Sequence, residues 1–216
     1  MTSPACESPA GYGRRMGRAL RILDPSFAHH VVAKGNDGGW IVRDALDRAT
    51  FRQRLDGIAA AYGWEALAWC LMRTHAHFVL RAPLGAISGG MQELLGGHAR
   101  YVNRRHDRNG HLFRNRFFSK TIDTDAYQVA SIAYVNRNPV HHLACEDAAD
   151  WRDSSYRATM GFAEAPAWLN VDESLALFGR DVESGRRALA WHVGSGRVPV
   201  SDTITEVQRF EPVVVL

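Results

Sequence analysis

Two apolar stretches separated by a tight turn, with a helical pattern on each side, place the strongest limit on how this chain folds. Residues 64–72 and 76–81 are rich in aromatic and aliphatic side chains, and Arg73 and Thr74 supply the turn between them. Residues 47–62 and 88–108 carry apolar side chains at helical spacing, and Gly63 is placed to end the first helix. The sequence therefore predicts a central antiparallel hairpin flanked by two amphipathic helices.

Further elements are predicted on either side of this hairpin. Residues 27–34 have a strand pattern and residues 35–39 form a turn. Residues 40–42 look like a short piece in which the chain returns after this turn. A strand follows from residue 119, and a helix over 125–137 is capped at Asp123 or Thr124 and should end before Pro139. Short helices are expected over 169–178 and 182–193. We therefore expect a disordered tail (1–15), one domain (16–165) and a C-terminal extension (166–216).

The composition argues against several classes of protein. The chain has 216 residues, 46% of them hydrophobic, and six tryptophans, which is enough for one domain with a substantial core. It has no apolar run of about 18 residues and no apolar segment at its start, so neither a membrane span nor a signal peptide is expected. Cys6, Cys70 and Cys145 are scattered, which argues against a disulfide framework or a cysteine zinc site. A reducing cytoplasm is the expected location.

Positive charge is concentrated in one segment. Residues 100–120 include seven basic residues and one acid, a net charge of +6, whereas the whole chain carries only +3. Such a segment suggests a polyanionic partner, and its interleaved phenylalanines (113, 117 and 118) suit the stacked bases of single-stranded nucleic acid. The alternatives are a solvated surface without a partner and phenylalanines that only fill the core. The candidate DNA-binding residues are Arg100, Arg104, Arg105, Arg108, Arg114, Arg116 and Lys120.

Two histidines mark a candidate metal site. His75 and His77 are one residue apart in a predicted strand, so both imidazoles leave the same face of the sheet. Two neutral imidazoles can hold a divalent ion when a third ligand arrives from elsewhere in the chain. The alternative is a pair of strand histidines that only form hydrogen bonds.

A candidate nucleophile and a third ligand lie near the end of the predicted helix over 125–137. Tyr134 and Asn138 are four residues apart, so they are neighbours on one side of the helix. A tyrosine beside a metal-bound phosphodiester can attack phosphorus, and an asparagine oxygen suits Mg²⁺ or Mn²⁺. The alternatives are a buried tyrosine whose hydroxyl bonds the backbone and an asparagine that belongs to an ordinary turn.

Six stretches together resemble the IS200-like transposases, and within them the REP-associated tyrosine transposases. They occur in the family's order and cover roughly residues 20–165. The stretches are His30-Val-Val-Ala-Lys-Gly-Asn36, Trp69-Cys-Leu-Met72 with His75-Ala-His77, Tyr101-Val-Asn-Arg-Arg105, Gly110-His-Leu-Phe-Arg-Asn-Arg-Phe117, Tyr134-Val-Asn-Arg-Asn-Pro-Val140 and Trp151-Arg-Asp-Ser-Ser-Tyr156.

This resemblance implies a fold, an activity and a set of site residues. The implied fold is α+β, a ferredoxin-like or RRM-like antiparallel sheet with flanking helices, here with a helical C-terminal extension. The implied activity is that of a metal-dependent HUH endonuclease with a single tyrosine. It cuts and joins single-stranded or hairpin DNA through a 5′-phosphotyrosine. The resemblance assigns the nucleophile to Tyr134 and the ligands of Mg²⁺ or Mn²⁺ to His75, His77 and Asn138. A bacterial, nucleoid-associated location and a homodimer are further expectations.

The chain departs from the family pattern in three places. Arg73 and Thr74 stand where the family usually has Pro-Asn, Val135 replaces an isoleucine, and 139–143 read Pro-Val-His-His-Leu where the family often has Pro-Val-Arg-Ala-Gly. None of these changes removes a group that the chemistry requires. Two other functions remain open at this point: a domesticated protein that binds structured nucleic acid without cutting it, and a metal-dependent hydrolase in which Tyr134 has no catalytic role.

Overall fold

The structure is a computed structural model that describes residues 23–197. The predicted tail (1–15) and the last part of the predicted extension, from residue 198, lie outside the described residues. Within 23–197, no helix combines the length and the apolar character needed to cross a membrane.

One four-stranded antiparallel sheet organises the described residues. Its strands are β1 (Ala28–Lys34), β2 (Glu65–Leu71), β3 (His75–Arg81) and β4 (Phe118–Ile122), in the order β2-β3-β1-β4. The hairpin β2–β3 turns at Arg73 and Thr74 as predicted, and β1 lies between β3 and β4. The predicted α+β class, with an antiparallel sheet and flanking helices, is therefore confirmed.

Six α-helices accompany the sheet in the described residues. They are α1 (Ala45–Tyr62), α2 (Ala86–Arg105), α3 (Asp125–His141), α4 (Tyr156–Thr159), α5 (Val171–Ala176) and α6 (Val182–Ser195). Four of them (α1, α3, α5 and α6) begin at a residue whose side chain caps the first turn. The Asp44 side chain accepts from the Asp47 N–H at the start of α1, and Gly63 ends that helix with φ of 60°. Thr124 caps α3 through the Tyr127 N–H, as the sequence predicts.

The two faces of the sheet carry different helices. Helices α1 and α2 cover one face, where Phe51 and Met91 pack with Phe78 of β3. Helices α3 and α6 lie on the other face, where Ile132 and Leu189 belong to the same apolar cluster as Val79. This division matters for function because His75 and His77 have the same strand parity as Val79 and therefore face α3.

The pair α1–α2 is held close by small residues in α2. A Cβ atom on Gly90 would lie 2.6 Å from the Trp64 ring, so only glycine lets the helix pass this indole. The face of α2 predicted to be apolar is buried throughout, with Met91, Leu94, His98 and Val102 all in the interior. Helix α2 therefore forms despite its four internal glycines because packing offsets their low helix propensity.

The prediction that the chain returns beside the first strand at residues 40–42 is wrong. Both edges of β1 are occupied, by β3 and by β4, so no edge of that strand is left for these residues to pair with. The backbone N–H groups of Ile41 and Val42 instead donate to the Arg73 carbonyl, and both side chains enter the core. The Arg73 guanidinium lies 3.8 Å from the Trp40 ring centre, which fixes the segment across the β2–β3 turn.

The predicted end of α3 before Pro139 is also wrong. The helix continues to His141 with Pro139 inside it. A proline at this position deprives the Val135 carbonyl of its usual donor, yet Asn138 and Pro139 are both buried, and packing holds the last turn. The His142 N–H donates to the Asn138 carbonyl and closes the helix. Asn138 therefore stays in helical register with Tyr134.

The described part of the predicted extension packs against the same sheet. The Ala66 N–H donates to the Trp168 carbonyl, and the Asn170 N–H donates to the Ala66 carbonyl at the outer edge of β2. On the other side, the Arg137 guanidinium donates to the Val193 carbonyl of α6. The two helices predicted here are present as α5 and α6, and they buttress β2 and α3.

Candidate active site

The two strand histidines and the two helix residues singled out from the sequence meet in one buried cluster. His75 and His77 lie on β3, and their ring centres are 4.9 Å apart. The Nε2 atom of His75 is 2.8 Å from Oδ1 of Asn138, and the His77 ring lies 5.9 Å from the Tyr134 ring. Helix α3 therefore brings Tyr134 and Asn138, one turn apart, onto the face of the sheet that carries both histidines.

A third strand histidine joins this cluster, and the sequence analysis missed its role. Nε2 of His30 lies 3.1 Å from Nδ1 of His77, and the His30 ring lies 6.1 Å from the Tyr134 ring. His30 has the same strand parity as Val32, which pairs directly with His77. The β1–β3 register would have revealed this contact, but a single sequence does not specify that register.

Each predicted histidine ligand has a polar neighbour at Nδ1. Oγ1 of Thr74 lies 2.9 Å from Nδ1 of His75, and Nε2 of His30 approaches Nδ1 of His77. When a polar partner holds Nδ1, the imidazole is oriented with Nε2 directed away from that partner. Thr74, one of the departures from the family pattern, thus orients His75.

Two more histidines border the cluster at the end of α3. The His142 ring lies 5.0 Å from the His75 ring, and the His141 ring lies 6.2 Å from the Tyr134 ring. His141 is exposed, whereas Tyr134 retains only 4% of its accessible surface. Of these rings, His141 therefore lies at the surface, whereas Tyr134 lies in the interior.

The donor set fits a divalent metal ion. Two ligand atoms about 2.1 Å from one ion and at right angles to each other are about 3 Å apart, close to the 2.8 Å between His75 Nε2 and Asn138 Oδ1. Without an ion, the same distance corresponds to a hydrogen bond in which the His75 imidazole N–H donates to the Asn138 amide oxygen. The two atoms are therefore already placed as neighbouring ligands would be.

A separate group of metal-binding side chains lies next to α1. Asp44, Asp47 and His106 have donor atoms within 4.8 Å of one another, which makes them a possible metal site. Arg105 already bonds both carboxylates, and His106 Nε2 lies 2.9 Å from Asp47. The Arg105 side chain holds the pKa of Asp44 well below its usual range. Any ion here would therefore compete with a guanidinium.

Asp47 itself is fully buried within this group. Burial alone would raise the pKa of its carboxyl, but hydrogen bonds from the Arg43 N–H, His106 and Arg105 outweigh that effect and lower it. The contacts of the carboxylate are those of a structural ion pair that joins the start of α1 to the end of α2.

The predicted DNA-binding residues lie on α2, on β4 and on the segment between them. Arg100 and Arg104 are exposed on α2, across the sheet from Tyr134, and Arg105 is engaged with Asp44 and Asp47. Arg108, Arg114 and Arg116 lie in the segment between α2 and β4. Lys120 pairs with His30 across β1 and β4 and thus shares the face that carries the histidine cluster. Whether any of them binds DNA stays a prediction.

The phenylalanines of the basic segment serve mainly as packing. Phe117 is buried in the core on the α1–α2 side, Phe113 packs against that core, and Phe118 is half-buried in β4. A cavity of about 540 Å³ remains between α2 and the segment before β4, with Arg116 among its lining residues. The alternative that these rings belong to the core is therefore correct for Phe117.

Comparisons with known proteins agree with this architecture. The model of the family described as "Transposase IS200 like" matches residues 26–138, just over half of the chain. A solved structure of a REP-associated tyrosine transposase bound to a REP hairpin is similar, with 17% identity and a TM-score of 0.56, over 73% of this chain and 90% of that one. A crystal structure assigned to a transposase from Deinococcus radiodurans R1 has 19% sequence identity to this chain. The match covers 51% of this chain and 86% of that one, with a TM-score of 0.37. No curated protein matches.

The family match spans all four strands and α3 as far as Asn138, so it includes every residue of the histidine, tyrosine and asparagine cluster described above except His141 and His142. The structural match independently supports the fold. This chain belongs to the IS200-like transposase family.

Proposed function

We propose that this protein is a metal-dependent, single-tyrosine endonuclease and strand transferase of the HUH type that acts on single-stranded, hairpin-forming DNA. The observation that carries the proposal is the convergence of Tyr134, His75, His77 and Asn138 at one point between β3 and α3. These are the residue types that phosphodiester cleavage by a tyrosine requires, drawn from two different elements of the fold.

Tyr134 acts as the nucleophile in this proposal. Its phenolic oxygen forms a bond to phosphorus, and the bond from phosphorus to the 3′ oxygen of the preceding nucleotide breaks. The tyrosine gives up its proton, and the departing 3′ oxygen gains one, so the products are a 5′-phosphotyrosine and a free 3′-hydroxyl. The His30 ring, 6.1 Å from the tyrosine ring, is the nearby imidazole outside the proposed ligand set and can exchange protons.

His75, His77 and Asn138 would hold the divalent ion. Bound there, Mg²⁺ or Mn²⁺ supplies a Lewis acid that orients the phosphodiester and offsets the charge developing on it. Thr74 and His30 position the two histidines, since each approaches an Nδ1 atom and leaves Nε2 for the ion. Asn138 Oδ1, the donor already 2.8 Å from His75 Nε2, completes the set.

In this proposal Tyr134 must become accessible before DNA can react with it. Tyr134, His75, His77 and Asn138 are all buried, whereas His141 beside them is exposed. Substrate binding and exposure of Tyr134 are therefore coupled in this proposal.

Hairpin DNA is the proposed partner for two reasons. The structurally similar REP-associated transposase is bound to a REP hairpin. In addition, this chain carries a net charge of +6 between residues 100 and 120, and Lys120 shares the face that carries the site. Each phosphate contacted on a single strand should add roughly −0.7 to the slope of log affinity against log salt concentration.

A gel assay for covalent protein–DNA species tests the proposal. Incubation with single-stranded hairpin oligonucleotides and Mn²⁺ should give an adduct in the parent and none in Tyr134→Phe, which should still bind the hairpin. Tyr101→Phe is the matched control, because Tyr101 lies on α2 across the sheet and should leave the adduct yield unchanged. Full cleavage by Tyr134→Phe, or an adduct mapped to Tyr101 or Tyr127, would refute the assignment. Binding without any adduct in the parent would favour the domesticated binding protein.

A further inference from the structure

The two helices on the face of the sheet opposite Tyr134 border a pocket that the proposed function does not use. It lies between α1 and α2 and has a volume of about 340 Å³. Of the described residues that line it, four are arginines, one from α1 and three from α2, and none is an acid. The lining residues are Arg54, Gly97, Arg100, Tyr101, Arg104 and Arg105.

Most of the positive charge in this pocket is not balanced by the protein. Arg105 is bonded to two acids at the start of α1. Among residues 23–197, in contrast, no ion pair involves Arg54, Arg100 or Arg104. The pocket therefore has three guanidinium groups whose charge no acid of the described chain neutralises.

These arginines converge instead of turning away from one another. The point that a Cβ atom on Gly97 would occupy lies 3.0 Å from a guanidinium nitrogen of Arg54 and 3.9 Å from one of Arg100. Arg100 and Arg104 are four residues apart on α2, so they are like-charged neighbours along the helix. Because like charges repel, arginines without a partner are more stable when they point apart. A bound anion removes this repulsion and stabilises the observed arrangement.

We propose that this pocket binds a terminal phosphate group, the chemistry that the phosphorylated end of a DNA strand shares with free pyrophosphate. A planar guanidinium donates two parallel hydrogen bonds to phosphate oxygens, which makes arginine the side chain best suited to this ligand. A terminal phosphate carries a charge of about −1.5 to −2 at pH 7, whereas a phosphodiester within a strand carries a single negative charge. The terminal group therefore balances three cations more fully.

The size and the location of the pocket agree with this ligand. Pockets for small molecules have volumes of roughly 300–1,000 Å³, so one of about 340 Å³ accommodates a phosphate or pyrophosphate group. The pocket lies across the sheet from the cluster of Tyr134 and the histidines, and its arginines take no part in the proposed cleavage. The inference thus goes beyond the proposed function and does not depend on it.

Calorimetric titration with inorganic pyrophosphate, at low salt and without divalent ions, tests this inference. The parent should bind pyrophosphate, and Arg54→Gln and Arg100→Gln should each bind it about tenfold more weakly, because each loses a charge-assisted contact. Arg180→Gln is the matched control. It removes the same charge from an exposed position between α5 and α6, and its affinity should stay within about twofold of the parent.

Urea unfolding separates a lost ligand contact from misfolding. Without pyrophosphate, Arg54→Gln should be as stable as the parent or more stable, because it relieves repulsion between like charges. Added pyrophosphate should stabilise the parent and Arg180→Gln but not Arg54→Gln, since a ligand stabilises only the folded state that binds it. A structural role for Arg54 would instead lower the stability whether or not pyrophosphate is present.

Two oligonucleotides identify the source of the phosphate. They are a short single strand with a 5′-phosphate and the same strand with a 5′-hydroxyl. Tighter binding of the phosphorylated strand that Arg54→Gln abolishes would identify a DNA end, whereas equal binding of both strands beside Arg54-dependent pyrophosphate binding would identify a free polyphosphate. Three results would overturn the inference: no pyrophosphate binding by the parent, an equal loss in Arg54→Gln and Arg180→Gln, or an Arg54→Gln variant that weakens only the two strands, and both equally.

Discussion

Asp47→Asn should destabilise the protein by about 2–3 kcal/mol near pH 7. The substitution keeps the shape of the side chain but removes the charge that accepts from Arg105 and from His106, and hydrogen bonds to a charged group are worth about 1.5–3 kcal/mol each. The Arg105 side chain is 28% exposed in the folded protein, so water can replace part of the hydrogen bonding that the substitution removes. The cost should therefore stay below the roughly 3–5 kcal/mol typical of breaking a fully buried pair.

The pH dependence of this difference gives a second check. Because folding lowers the pKa of Asp47 from its ordinary 3.8, the carboxylate contributes its full stability above pH 3.8 and loses it as the pH falls through the lower, folded value. Urea unfolding of parent and variant should thus show a gap in stability that shrinks below about pH 3.8. Asp123→Asn, an exposed acid before α3, is the control and should change stability by no more than about 0.5 kcal/mol.

Two results would refute this reasoning. A loss of less than about 0.5 kcal/mol for Asp47→Asn at pH 7 would mean that these ion pairs stabilise the folded state less than hydrogen bonds to a charged group normally do. A gap that grows when Zn²⁺ or Mn²⁺ is added would mean that Asp44, Asp47 and His106 hold an ion in the folded protein, since a ligand stabilises the state that binds it.

Three further predictions concern packing, the metal ligands and the DNA surface. Gly90→Ala should destabilise by about 1–3 kcal/mol in urea unfolding, because its Cβ would meet Trp64 at 2.6 Å, whereas Gly57→Ala, with no atom within 4 Å, should be neutral or stabilising. His30→Phe should weaken divalent-metal binding about 10- to 100-fold in a competition titration, and an unchanged affinity would exclude His30 as a positioning residue for His77. Lys120→Ala should make the salt slope of hairpin binding shallower by about 0.7, and an unchanged slope would remove Lys120 from the DNA surface.

Local patterns in the sequence predicted most of the fold and singled out the four residues that meet between β3 and α3. The strand period placed His75 and His77 on one face, and the helical period placed Tyr134 beside Asn138. These arguments need only neighbouring residues, so they hold before the tertiary structure is known. The order of the strands and the registers between them depend on contacts between residues that are distant in sequence. The features that the sequence did not reveal depend on these long-range contacts.

Particular residues show why the remainder was out of reach. His30 contacts His77 only through the β1–β3 register, and His142 comes to border the cluster only because Pro139 does not end α3. Arg105 belongs to a basic segment in the sequence, but its guanidinium is engaged by acids from the start of α1, more than fifty positions away along the chain. Charge counted along a sequence does not reveal which cations are already neutralised within the fold.

The placement of Tyr134 and Asn138 on one helix has a consequence for how the protein tolerates mutation. Because Tyr134 and Asn138 both lie on α3 opposite the histidine-bearing strand, a substitution that tilts or slides this helix displaces the proposed nucleophile and the proposed amide ligand together. Changes in the contacts between α3 and α6, such as Arg137 with Val193, should therefore weaken metal affinity and tyrosine attack in parallel. Variants selected for altered cleavage should accordingly lose both properties as a correlated pair rather than one at a time.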